Sequence, residues 1–183
     1  IERVASSRTI CLSGGRSIKA VLVSLCENNQ LFFSKKIILS DERDNRKKCD
    51  SNYHALREIL PNYCDIAKPE DMWRSACFSL RVDLALLGFG YDGHICSIFP
   101  RMTYADVDYR GCFFRTNGEW GDPLCRRYSV SEPIISNARS VILIANTKEK
   151  LSRLEKIVAC SQSTQPLKRL INNRVEVQIF KSF

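Results

Sequence analysis

The residue best suited to acid–base chemistry is His94, which follows Asp92 and Gly93 in a segment with three glycines between positions 88 and 93. An imidazole can accept a proton near neutral pH when a carboxylate holds its ring. The pattern therefore favours His94 as a general base, with a purely structural histidine as the alternative. His54, the second of the two histidines, falls within a predicted helix and is interpreted as a surface or helix-packing residue.

A short glycine turn, Ser13-Gly14-Gly15, stands between a predicted strand and a predicted helix. Such a turn leaves backbone N–H groups exposed at the start of the helix, where the helix dipole also favours an anion such as a phosphate. The turn lacks the later glycines of a dinucleotide-binding motif and the Gly-Lys-Ser/Thr ending of a nucleotide P-loop. The sequence therefore indicates a phosphate site without a nucleotide cofactor. The alternative is a turn with a purely structural role.

Two basic residues, Arg43 and Lys150, lie at positions where their side chains could bind a phosphorylated ligand. Arg43 follows Asp41 and Glu42 at the end of a strand, and its planar guanidinium could bind a phosphate through two hydrogen bonds. An ion pair with either carboxylate is the alternative. Lys150 lies near the start of a predicted helix, where the dipole does not favour a cation, so it could be retained to meet an anion. A solvated lysine is the alternative.

Apolar segments that alternate with helical patterns must position these residues. The predicted strands are 9–12, 36–39, 82–87 and 141–145, and the predicted helices begin after Gly15, run from the Ser51 cap through Leu60, and span 148–160. Buried strands alternating with helices indicate a parallel sheet covered on both faces. Polar motifs follow these strands at Ser13, Asp41, Asp92 and Asn146. Because the carboxyl ends of parallel strands meet at one edge, we expect the motifs to form one site.

Composition and charge set limits on the class of protein. A chain of 183 residues with 44% hydrophobic residues suits one α/β domain. The formal charge of +8 admits sugar phosphates, nucleic acid and anionic membranes, but the basic residues are spread along the chain. No nucleic-acid-binding motif is present, and no segment approaches the roughly 18 to 20 apolar residues of a membrane span. We therefore expect neither nucleic acid nor membrane as a partner.

The nine cysteines indicate reduced thiols in a reducing compartment. Their number is odd, no C-x-x-C pair occurs, and several stand within apolar segments. With only two histidines and no short ligand spacing, a structural metal site is not expected. These features predict a soluble, cytoplasmic protein.

Four blocks, in this order, resemble the motif series of 6-phosphogluconolactonases: Leu12–Gly15, Asp41–Arg43, Asp50–Tyr53 and Leu87–Pro100. The last block is the most specific, because a Leu-Gly-x-Gly-x-Asp-Gly-His loop followed by Ser-x-Phe-Pro separates lactonases from the related glucosamine-6-phosphate deaminases. The resemblance continues through Arg127-Tyr128-Ser129 and the segment from Pro133 to Lys150.

The resemblance implies a three-layer α/β sandwich with a mostly parallel, Rossmann-like sheet of the NagB/RpiA/CoA-transferase type. It implies hydrolysis of 6-phosphoglucono-δ-lactone to 6-phosphogluconate in the pentose phosphate pathway, with no metal or organic cofactor. By similarity, His94 is the general base and Asp92 orients its loop. The residues implied around the phosphate are Ser13, Gly14, Gly15, Arg43 and Lys150, with Arg127 as a further contributor. A monomer or weak homodimer is expected.

The chain also departs from the family pattern. Arg16 follows the glycines where the family has a small hydroxyl residue, so it either adds a phosphate contact or obstructs the pocket. The segment between Asn52 and Leu86 is shorter than usual, and the family's opening strand and helix do not precede Ile1. The alternative functions are therefore a catalytically impaired phosphosugar-binding or regulatory protein and an amino-sugar-phosphate deaminase or isomerase. The Ser97–Pro100 ending argues against the deaminase.

Overall fold

The computed structural model describes residues 2–27, 31–44, 47–62, 64–160, 165–173 and 177–181, without the side chains of residues 16, 17 and 177–181. The helices are α1 (Glu2–Ser6), α2 (Arg16–Cys26), α3 (Asn52–Arg57), α4 (Pro69–Arg74), α5 (Glu132–Ser136), α6 (Lys148–Ala159) and α7 (Pro166–Asn172). The strands are β1 (Thr9–Leu12), β2 (Lys36–Leu39), β3 (Asp41–Arg43), β4 (Ile66–Ala67), β5 (Leu84–Leu87), β6 (Val107–Arg110), β7 (Phe113–Thr116), β8 (Arg127–Val130), β9 (Ser140–Ala145) and β10 (Val177–Lys181). Short 3₁₀ helices span Lys48–Asp50 and Tyr104–Asp106.

The larger sheet has six parallel strands in the order β10-β9-β5-β1-β2-β4. Its central strands are continuous apolar runs, as expected for strands that are covered on both faces. On β1, Cys11 packs into one hydrophobic cluster, whereas Ile10 and Leu12 pack into another on the opposite face. Leu22 of α2 joins the second cluster and Leu154 of α6 the first. The predicted three-layer α/β arrangement with a mostly parallel sheet is therefore confirmed.

A second sheet of four antiparallel strands, in the order β3-β8-β7-β6, was not predicted from the sequence. The predicted strand end at Asp41–Arg43 is a strand of this sheet and pairs with β8. Ser40 marks the change between the sheets, because its N–H donates to Leu12 at 2.8 Å while its carbonyl accepts from Val130 at 2.9 Å. This pairing sets Arg43 directly opposite Arg127.

Two predicted boundaries were too wide. The helix after Ser51 ends at Arg57 rather than Leu60, and a turn leads from there to Pro61, which cannot continue a helix. The predicted strand 82–87 begins at Leu84. The carboxylate of Asp83 lies just before it and accepts the backbone N–H groups of Arg8 and Thr9, both at 2.9 Å. In the described part of the chain, no helix is long and apolar enough to cross a bilayer.

Candidate active site

A cleft of about 920 Å³ opens at the carboxyl ends of the parallel strands. Its lining includes the polar motifs predicted to meet there, namely Ser13, Gly14, Gly15, Asp41, Arg43, Gly88, Gly90, His94, Asn146, Thr147 and Lys150. Arg127 of the second sheet also lines it. The expectation of one shared site at this edge therefore agrees with the structure, although Arg127 arrives from a strand that the sequence did not reveal.

His94 lines this cleft and forms a hydrogen-bonded pair with Asp92, which is not itself among the lining residues. His94 Nδ1 lies 2.6 Å from Asp92 Oδ1, which also accepts the His94 backbone N–H at 3.2 Å. Burial raises the pKa of the Asp92 carboxyl, but its hydrogen bond to His94 and the charge of that ring outweigh this, so the pKa lies below its ordinary value. Asp92 is thus an anion that can hold a proton on Nδ1, and Nε2 is then the basic nitrogen of the ring.

Two glycines allow this pair to form. A Cβ atom on Gly90 would overlap Nδ1 and Cε1 of the His94 ring and Oδ1 of Asp92, so only a glycine leaves room for the pair. The Gly90 N–H also donates to the His94 carbonyl at 2.9 Å and closes the turn. Gly93 adopts a φ of +88°, a left-handed conformation that favours glycine. The glycines therefore fix the direction of the imidazole.

Aromatic rings form the wall behind His94. The ring centroid of Phe99 lies 4.7 Å from that of His94, and the Trp120 ring stacks on Phe99 with centroids 5.8 Å apart. His94 keeps 32% of its side chain exposed, so a bound substrate can reach the ring. Packing against Phe99 restricts the ring to one orientation, which is what proton transfer to a fixed atom requires.

Arg43 does not form the ion pair with Asp41 or Glu42 that was the alternative. Its Nη1 donates to the Asp50 carbonyl at 2.8 Å and to the side-chain oxygen of Asn52. Its Nε is buried and has no hydrogen-bond partner among the described residues. Arg43 lines the cleft, so an anion bound there can pair with its guanidinium.

Arg127 has a different environment from Arg43. It is 4% exposed, and its Nε and Nη2 donate to the carbonyls of Trp120 and Pro123 at 2.8 and 2.9 Å. Burial lowers the pKa of this guanidinium from its ordinary value. Arg127 therefore holds the 117–126 loop against the cleft, in addition to carrying charge opposite Arg43.

Lys150 also lines the cleft and lies in the first turn of α6. Its Nζ donates to the Phe89 carbonyl at 2.9 Å and sits 5.2 Å from the centroid of the Phe89 ring. The helix is capped by Thr147, whose side chain accepts the Lys150 N–H at 3.2 Å. Lys150 thereby links α6 to the loop that carries His94.

The glycine turn leads from β1 into α2 and packs closely against α3. The Ser13 N–H donates to Leu86 at 3.1 Å, and a Cβ atom on Gly14 would lie 2.7 Å from the Cα atom of Asn52. At Gly15, by contrast, a Cβ atom would meet nothing within 4 Å, so this side of the turn is open. Arg16 is the first residue of α2, and its side chain lies outside the described part of the structure.

Polar residues that were assigned no role from the sequence connect these parts. Asp41 Oδ2 accepts the Ser97 hydroxyl at 2.9 Å, and Asp41 Oδ1 accepts the Ser40 hydroxyl at 2.9 Å. Asn52 bonds to Arg43, and the Glu42 carboxylate accepts the backbone N–H of Asn52 at 2.9 Å. For Glu42, Asn52 and Ser97 the only signal was their place inside the resembling blocks, because a short polar segment has no hydrophobic periodicity from which a buried contact could be predicted.

Comparisons with known proteins agree with this geometry. Residues 2–179 match the family model described as "Glucosamine-6-phosphate isomerases/6-phosphogluconolactonase". The chain is 30% identical to the 6-phosphogluconolactonase of Thermotoga maritima over 168 residues, covering 81% of this chain and 74% of that protein. It is 31% identical to the 6-phosphogluconolactonase of Treponema pallidum over 152 residues, covering 70% of this chain and 61% of that protein.

A solved structure supports the fold. The crystal structure of a 6-phosphogluconolactonase from Shewanella baltica superposes with a TM-score of 0.81 at 21% identity, covering 98% of this chain and 88% of that one. The match over nearly the whole chain, the identity to the Thermotoga protein and the shared fold lead to one conclusion: this chain belongs to the 6-phosphogluconolactonase family.

Proposed function

We propose that this protein hydrolyses 6-phosphoglucono-δ-lactone to 6-phosphogluconate, with water as the nucleophile and His94 as the base. The observation that carries the proposal is one cleft lined both by His94, which pairs with Asp92, and by the guanidinium-bearing Arg43. The first can activate water, and the second can bind a phosphate. A phosphorylated lactone needs both.

In the proposed reaction, Nε2 of His94 takes a proton from water as the water oxygen bonds to the lactone carbonyl carbon. The Asp92 carboxylate stabilises the imidazolium that forms, because its Oδ1 accepts a hydrogen bond from the Nδ1–H group, with the two heavy atoms 2.6 Å apart. The tetrahedral intermediate carries an oxyanion, which backbone N–H groups or a nearby cation must stabilise. When this intermediate collapses, the bond to the ring oxygen breaks and that oxygen receives the proton from His94. One water is consumed, and the product is an open-chain acid.

At the other end of the substrate, Arg43 and the Ser13-Gly14-Gly15 turn bind the phosphate, with Lys150 and Arg127 adding positive charge. Both arginines come from paired positions on neighbouring strands. Like charges directly opposite each other destabilise an antiparallel pair, so an anion between them relieves the repulsion. Arg127 contributes less to binding than Arg43, because two of its donors are committed to loop carbonyls.

The test is direct hydrolysis of freshly generated 6-phosphogluconolactone, corrected for its spontaneous opening. His94→Ala should lower kcat by about 10²- to 10⁴-fold, the usual contribution of a general base, while affinity for 6-phosphogluconate is kept. His54→Ala is the matched control, because that exposed ring contacts Ser51 and does not line the cleft. Parent-like turnover in His94→Ala would reject the base, and binding of 6-phosphogluconate without any hydrolysis by the parent would favour a binding protein instead.

A further inference from the structure

Glu42 is a buried carboxylate that touches neither the reacting carbon nor the phosphate in the proposed reaction. It is 7% exposed. Its Oε1 accepts the backbone N–H groups of Arg43 at 2.8 Å and Asn52 at 2.9 Å. Its Oε2 accepts the Ser51 hydroxyl at 2.9 Å and the Tyr53 N–H at 2.7 Å. Among the described residues, no cationic side chain forms an ion pair with it.

Four hydrogen bonds to one buried carboxylate are a strong local constraint. Burying a charge without a counter-ion is costly unless donors surround it, so the donors must be held in place for the carboxylate to be stable there. Three of the four donors belong to the start of α3, and the fourth is the backbone of β3. Glu42 therefore joins the strand that carries Arg43 to the beginning of α3.

Asn52 extends this connection to the phosphate end of the cleft. It is 3% exposed, and its Nδ2 donates to the Asp41 carbonyl at 2.9 Å, which fixes the orientation of the amide. Its Oδ1 then faces Arg43 and accepts from Nη1. The same side chain lies against the glycine turn, since a Cβ atom on Gly14 would come within 2.5 Å of Asn52 Cγ. Asn52 thus contacts both elements that bind phosphate in the proposed function.

We propose that Glu42 and Asn52 are positioning residues for phosphate recognition. Glu42 fixes the backbone of Asn52, and Asn52 holds the guanidinium of Arg43 by Nη1 at the edge of the cleft, where the side chain can meet the substrate phosphate. This inference rests on the proposed function. It assigns to Glu42 and Asn52 the preference of the proposed enzyme for a phosphorylated lactone. Neither residue touches the His94 end of the cleft through any described contact, so the pair acts on binding of the phosphate rather than on water activation.

The first test is Glu42→Gln, which keeps the shape of the side chain but replaces one accepting oxygen with a donor amide. KM for 6-phosphogluconolactone should rise about tenfold, the effect of one lost hydrogen bond to a charged group. Hydrolysis of glucono-δ-lactone, which has no phosphate, should keep its kcat/KM. Glu132→Gln is the matched control, because Glu132 pairs with Arg169 outside the cleft. An equal loss for both lactones, or no change for the phosphorylated one, would overturn the proposal.

The second test is Asn52→Asp, which places a carboxylate beside Arg43 without changing the size of the side chain. This carboxylate should pair with the guanidinium and compete with the phosphate, so 6-phosphogluconate should bind at least about tenfold more weakly by calorimetry. Affinity equal to that of the parent would contradict the role of Asn52. Calorimetry also separates the two proposals. If the parent binds 6-phosphogluconate but hydrolyses no lactone, the reaction is rejected, while the affinities of the variants still decide the positioning role.

Discussion

The substitution Gly90→Ala tests whether the His94–Asp92 pair is the catalytic element of the cleft. The new Cβ atom would overlap the His94 ring and Oδ1 of Asp92, whereas ordinary van der Waals contact begins at 3.4 Å. The ring and the carboxylate must therefore move away from residue 90 by about 1 Å, and a misplacement of that size at a reacting group costs about 100-fold in rate. This corresponds to about 2.7 kcal/mol of activation free energy.

The assay follows proton release during hydrolysis of freshly generated 6-phosphogluconolactone, with spontaneous opening subtracted. We expect kcat to fall about 100-fold while the affinity for 6-phosphogluconate stays the same, because the atoms that the new Cβ would overlap belong to His94 and Asp92 and not to Arg43 or the glycine turn. The backbone of Gly90 does not adopt a positive φ, so alanine introduces no backbone strain of its own.

Gly118→Ala is the matched control for this change. A Cβ atom there would meet only Trp120 Nε1 at 3.8 Å, an ordinary contact, and Gly118 does not line the cleft. We expect parent-like kcat and thermal stability in this variant. If Gly90→Ala also turned over at the parental rate, a fixed imidazole beside Asp92 would not be needed for the reaction, and the reasoning from the glycine loop would be refuted.

Three further changes test other parts of the structure. Replacing Arg127 with Met should lower the free energy of unfolding in urea by about 1–3 kcal/mol, because two loop carbonyls lose their buried donor; an unchanged midpoint would exclude this role for the guanidinium. Gly14→Ala should destabilise the protein by about 1–3 kcal/mol, because the new Cβ atom overpacks against Asn52, and it should weaken 6-phosphogluconate binding. Parental stability together with parental affinity would contradict the close packing of the turn against Asn52. The pKa of Asp83 lies below its ordinary value because the backbone N–H of Thr9 and of the residue before it donate to the carboxylate. This stabilisation is complete at neutral pH and is lost as the pH falls through the folded pKa, so Asp83→Asn should flatten the dependence of Tm on pH below about pH 4, whereas a parental slope would contradict it.

Local sequence determined the parallel sheet and the segments that end at its carboxyl edge. The apolar runs of β1, β2, β5 and β9 are visible because strands buried on both faces must be hydrophobic at nearly every position. The glycine turn after β1 and the glycine-rich loop before His94 are visible because tight turns and close approaches need glycine. From these features alone, a site at one edge of the sheet could be predicted.

The second sheet and the contacts that depend on it were decided only by the tertiary structure. The strand β3 has three charged residues and no apolar pattern, so nothing in its local sequence indicates its pairing with β8, in which Glu42 lies opposite Tyr128, 86 positions later. That pairing sets Arg43 opposite Arg127.

The roles of Glu42, Asn52 and Arg127 follow the same rule. Their residue types are compatible with a solvated surface, and only the path of the chain surrounds Glu42 with donors, turns Asn52 toward Arg43 and ties Arg127 to the 117–126 loop. Hydrogen bonds between distant segments depend on where the folded backbone brings their donors and acceptors, whereas hydrophobic periodicity and glycine conformation act within a few residues. The sequence alone thus predicted which segments form the candidate site, and the fold decided how the charged side chains of that site are held.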